Sequence, residues 1–102
     1  MLIIRGTTPT HTFGLPVDST MCDKVRIIYS QNGKPVIKIN SDRLRFSENE
    51  VLCKLTREET FSLDCAKPCE IQVRILTIGG DVLASDIIKV GVGRCLDDEV
   101  LA

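Results

Sequence analysis

Apolar and polar side chains change places every second residue through most of this chain, the period of a half-buried β-strand rather than of a helix. Pro9 holds Thr8 extended, and His11, Phe13 and Leu15 then alternate with Thr10, Thr12 and Gly14 as a first strand. After a Pro16 to Thr20 turn, Val25, Ile27 and Tyr29 alternate with Lys24, Arg26, Ile28 and Ser30 as a second. Asn32-Gly33 comes next. Both residues accept positive φ at low cost, so the pair predicts a type I′ hairpin turn into a third strand over Val36 to Ile39. Pro35 cannot donate to a ladder and belongs at that strand's start or on a free edge. Leu44 and Phe46 alternate with Arg43 and Arg45 as a fourth strand, and Val51, Cys53 and Leu55 mark a fifth. Ile71, Val73 and Ile75 mark a sixth, closed by Gly79-Gly80-Asp81, and a seventh begins at Val82. Within it, the Ile87-Ile88 pair between Asp86 and Lys89 interrupts the alternation, and a bulge is expected there.

Between Leu55 and Phe61 the period of two is lost. Thr56 is followed three residues later by Glu59, the spacing at which a hydroxyl and a carboxylate satisfy each other's unpaired backbone N–H groups. One short helical turn is therefore predicted near Thr56 to Thr60, and no segment supplies a long amphipathic crossover helix. The fold class is all-β, an immunoglobulin-like antiparallel β-sandwich of about seven strands, since such sandwiches commonly pass from one sheet to the other at a turn of this kind. The chain has no Trp, so the Cys, Trp, Cys hallmark of antibody domains is missing and the relation is architectural. Residues 1–102 read as a single sandwich domain. The end, Leu96 with Asp97-Asp98-Glu99, Val100 and Leu101, reads as one more helical turn or a frayed tail.

Composition narrows the class of function. Thirteen basic and fourteen acidic side chains leave a net charge of -1, which offers no general attraction to nucleic acid or to an anionic membrane. A domain of this size buries about two thirds of the surface of its unfolded chain, enough for one core and too little for a deep substrate cavity as well. The longest apolar runs, Met1 to Ile4 among them, fall far short of the roughly 20 residues of a spanning helix. With no export signal, synthesis in the cytoplasm is expected, followed by retention there or by carriage out by something else. Five cysteines, Cys22, Cys53, Cys65, Cys69 and Cys95, are an odd number and read as reduced thiols.

The residue types that carry chemistry do not assemble into a motif. His11, the sole histidine, lies among threonines on the first strand and reads as a strand residue rather than a general base. Cys65-x-x-x-Cys69 lacks the two-residue gap of redox dithiols and zinc knuckles, and no second pair completes a tetrahedral set. Gly91-x-Gly93 has Leu96 where a dinucleotide loop needs its third glycine, and Gly33-Lys34 runs into Pro35 inside a hairpin. Arg43, Arg45 and Arg57 could form a basic patch, but with one Tyr and three Phe the platforms for stacking bases are scarce. No catalytic, cofactor-binding or metal-ligating residue is assigned; the residues singled out are structural, namely Asn32, Gly33, Thr56 and Glu59.

Five stretches in order, Arg5-Gly6-Thr7-Thr8-Pro9, Gln31-Asn32-Gly33, Leu55-Thr56-x-Glu58-Glu59-Thr60, Ile71-Gln72-Val73-Arg74 and Ala84-Ser85-x-Ile87, resemble a family of small prophage-encoded proteins of Gram-positive bacteria. That family is similar to the immunoglobulin-like N-terminal domain of phage baseplate upper proteins. The resemblance implies a non-enzymatic tail or baseplate accessory, incorporated in a virion after synthesis, and brings no catalytic residues. The expected function is a structural or interaction module that assembles through sheet edges or a sheet face, with a protein partner or with itself as a homo-oligomer. Two further readings stand beside it. One is a small ligand- or glycan-binding module, which an exposed Tyr would favour although Tyr29 sits at a core position; the other is a thiol-dependent enzyme using Cys65 or Cys69.

Overall fold

A computed structural model describes residues 2–97, and almost every segment of period two within them is a strand. In chain order the elements are β1 (Leu2–Ile4), β2 (Thr10–Gly14), β3 (Cys22–Gln31), β4 (Lys34–Asn40), β5 (Leu44–Ser47), β6 (Glu50–Lys54), α1 (Arg57–Phe61), β7 (Cys69–Thr77), β8 (Val82–Ala84) and β9 (Ile88–Gly93). The larger sheet has the order β1-β9-β7-β3-β4, with β8 also paired to β7, and the smaller has the order β2-β6-β5. All pairings are antiparallel except that of β1 with β9, which is parallel. The inward residues of both sheets, among them Phe13, Val51 and Cys53 from one and Ile27, Ile39, Ile71 and Ile75 from the other, make one buried core. Three strands facing an extended sheet, with the second, fifth and sixth strands on one side, is the arrangement of a variable-type immunoglobulin sandwich.

Among the described residues nine strands stand where seven were expected, for two reasons. The first is β1, whose three residues are too few to show alternation. Its register sets Leu2 against Gly91 and Ile4 against Gly93. A Cβ at position 91 would lie 3.1 Å from Leu2 Cδ1, and one at position 93 would run into Ile4 Cδ1, so the two glycines make room for β1. The second is the bulge near Ile87. Arg74 faces Ala84 and Ile71 faces Ile88, so three steps along β7 match four along the opposing chain and the expected seventh strand splits into β8 and β9. Ser85 bridges the gap: its N–H donates to the Val73 carbonyl at 2.9 Å, and its hydroxyl accepts from the Val73 N–H at 3.0 Å.

One expected inward residue is not buried. Leu44 is in the core, but Phe46 remains 41% exposed, because β5 is an edge strand with no neighbour on its far side. The hairpin between β3 and β4 turns through Asn32 at φ 53° and Gly33 at φ 75°, the left-handed pair a type I′ turn requires. At the start of α1 the Thr56 hydroxyl accepts from the Glu59 N–H at 3.2 Å, and a Glu59 carboxylate oxygen accepts from the Thr56 N–H at 2.8 Å. The expected turn at the end of the chain lies outside the described residues from position 98 onward.

Candidate interaction face

β3 carries the two polar clusters of interest, one on each of its faces. Its inward residues Val25, Ile27 and Tyr29 are buried, while Lys24 and Arg26 face solvent.

On the inside, Tyr29 is wholly buried, yet its hydroxyl has partners from the opposite sheet. His11 Nδ1 lies 2.7 Å away, and the hydroxyl donates to Cys53 Sγ at 3.7 Å. His11 and Cys53 are cross-strand partners on β2 and β6, so the smaller sheet presents both to one phenol of the larger. The His11 ring also packs edge-on against Phe13, with centroids 6.2 Å apart. Burial lowers the pKa of His11 and raises those of Tyr29 and Cys53, with the Cys53 sulfur adding to the shift of Tyr29. All three are held neutral. A nucleophilic cysteine and its histidine need the reverse, a thiol shifted down toward the thiolate. Here His11 is 6% exposed and Cys53 is sealed off, so the convergence of histidine and cysteine ties the sheets together.

The other candidate thiols divide. Cys69 opens β7 fully buried, its thiol pushed up to about 11 by burial, with Glu70 adding to the shift; Cys65 is exposed. Cys69 is thus a small buried hydrophobe. Among the described residues no group of three or more His, Cys, Asp or Glu is placed to hold a metal ion. No helix among them is long and apolar enough to cross a membrane.

On the outside of the larger sheet, β3, β7 and the ends of β4 and β8 border a groove of about 510 Å³. The register brings its residues together. Arg26 faces Asn40 on β4 and Arg74 on β7, and in the next row Lys24 faces Leu76, which faces Val82. Arg26 Nε donates to Asn40 Oδ1 at 2.8 Å, which steadies the guanidinium without neutralising it. Three cations thus line the groove against one carboxylate, Asp42. An ion pair lies elsewhere, between Arg43 and Glu59. At the groove's end Val82 is 62% exposed, and beyond it Ile78 is 64% exposed beside Met21, whose carbonyl accepts the Ile78 N–H at 3.0 Å.

The basic patch considered from the sequence does not form around Arg43, because that side chain grips both carboxylate oxygens of Glu59, at 2.5 and 2.8 Å, and donates to the Lys54 carbonyl. The pair holds Glu59 below the usual carboxylate range and extends the helix cap to the turn between β4 and β5. Asn32-Gly33 and Thr56-Glu59 occupy separate turns and build no common site. Several of the family-like stretches have structural roles. Arg5 donates to the Phe61 carbonyl at 3.0 Å with its guanidinium 5.6 Å from the ring centre, and Thr60 donates to the Thr7 carbonyl at 2.8 Å, which straps the N-terminal segment to α1. Gln31, named from the sequence only as part of a family-like stretch, is buried and hydrogen-bonds the backbone of Asp64 and Lys67, pinning the loop before β7. Sequence reading also passed over Lys24, Arg26 and Arg74. Their outward phase was visible, but their meeting depends on the pairing of β3 with β7.

No protein-family model and no curated protein sequence matches the chain. Among solved structures, the V domain of amphioxus IgVJ-C2 is similar in shape, with a TM-score of 0.41 and 16% sequence identity over 91% of this chain and 99% of that one.

Proposed function

We propose that this chain is a non-enzymatic interaction module that docks a protein partner on the outer face of its larger sheet, serving as an accessory of a phage tail or baseplate. The observation that carries the reading is the groove, where exposed Val82 and half-buried Leu76 adjoin three cations without a matching set of carboxylates. The edges are less suited to recruit a strand. β4 bears Lys34, Pro35 and Lys38, residues that discourage added pairing, and β1 and β5 are three and four residues long. A glycan-binding role finds no platform in the groove, since no aromatic ring lines it and Tyr29 is buried. The tail or baseplate context rests on the five family-like stretches and entails synthesis in the cytoplasm followed by assembly into a virion.

Binding to the products of the genes beside its own tests the reading, with sedimentation equilibrium to check for self-association. Binding to a tail or baseplate product, lost in Val82→Asp and kept in Arg45→Gln on the smaller sheet, supports it. A protein that stays monomeric and binds none of those products overturns it.

A further inference from the structure

From the placement of Arg26 and Arg74 we infer that the groove recognises a carboxylate, supplied by an extended acidic segment of the protein partner and seated beside an aliphatic side chain. The inference rests on the docking face proposed above and names its chemistry. Like charges directly opposite on adjacent strands destabilise a sheet, and Arg26 and Arg74 are such a pair on β3 and β7. Neither has an ion-pair partner among the described residues. Asn40 engages only Nε of Arg26, which leaves both terminal amino groups of its fork to receive a ligand. A carboxylate between two guanidinium groups takes charge-assisted hydrogen bonds from both and cancels their repulsion. In the neighbouring row Leu76 and Val82 offer an aliphatic wall next to Lys24. An extended strand that carries an acidic side chain and, two residues on, an aliphatic one presents both on the same face and matches the two rows. Nucleic acid fits less well, because no aromatic ring in the groove could stack a base.

The probe is a labelled peptide of repeating Glu-Ser-Val-Ser, whose Glu and Val share one face when extended, compared with the Gln/Val and Lys/Val peptides of the same spacing and length and with a single-stranded oligonucleotide, all titrated onto the whole protein by NMR. The expected result is shifts at Arg26, Arg74 and Val82 with the Glu/Val peptide alone. Binding should be about tenfold weaker in Arg74→Gln, absent in Arg74→Glu, and weaker in high salt. Equal binding of the Gln/Val peptide, tighter binding of the oligonucleotide, unchanged binding in Arg74→Glu, or no shift with any peptide overturns the inference. So does a mass that doubles with concentration in the parent and not in Arg74→Glu, since the occupant is then a second copy of the chain. The two proposals fail separately. If a neighbouring-gene product loses binding in Val82→Asp but not in Arg74→Glu, the docking face stands and the carboxylate clamp falls.

Discussion

Tyr29 and Arg26 lie three residues apart on one strand, yet the polar groups gathered around them follow opposite rules. On the inside, a phenol, an imidazole and a thiol meet as neutral partners in hydrogen-bond reach, all three buried. On the outside, two guanidinium groups stand opposite each other with no ion-pair partner among the described residues. The interior must satisfy its polar groups because an unpaired one costs about 1–3 kcal/mol. The surface can tolerate unrelieved charge, and where it keeps such charge against the sheet's own stability, the arrangement points outward to a partner.

The largest effect should come from emptying the inner cluster. Tyr29→Ala removes a wholly buried ring and should cost about 3–5 kcal/mol in denaturant unfolding. Tyr29→Phe keeps the ring and deletes only the hydroxyl, leaving His11 and Cys53 without their partner, and should cost about 1–3 kcal/mol. A loss near zero would mean the trio is merely packed.

Next comes acid. His11 is held below its ordinary value by burial, so the unfolded chain takes up this proton before the folded one does. Its contribution is complete above about pH 6.5 and is lost as pH falls from there toward the folded pKa. Glu59, also lowered, has Arg43 as its main cause and adds its own loss only below about pH 4.3. Unfolding midpoints measured between those two values should fall in the parent and stay flat in His11→Asn. A parallel fall in both would remove His11 from the explanation.

A smaller effect belongs to the helix cap, which serves neither cluster. Thr56→Ala should cost about 1 kcal/mol, read by urea unfolding, and should leave the groove's NMR signals in place.

What was legible in the sequence follows the same division. The alternation placed His11, Tyr29 and Cys53 inward, the Asn32-Gly33 dipeptide marked its hairpin, and the spacing from Thr56 to Glu59 marked the cap, because each is a local rule read within a few residues. Strand β1 escaped because three residues carry no period, and its trace, the glycines at 91 and 93, makes sense only once β1 lies beside them. The groove escaped for a like reason. Arg26 and Arg74 are 48 positions apart (74 − 26), and only the long-range pairing of β3 with β7 sets them face to face. Phe46 read as inward because alternation reports phase and not whether the strand has a neighbour.

The smallest effect tests the central claim most directly and needs no partner. If Arg26 and Arg74 repel in the free protein, replacing Arg74 should stabilise it by a few tenths of a kcal/mol, with Arg74→Glu above Arg74→Gln and both above the parent in low salt. The three unfolding midpoints should converge as salt screens the pair. If either variant is less stable than the parent at low salt, Arg74 is already neutralised within the fold and the groove holds no unanswered charge.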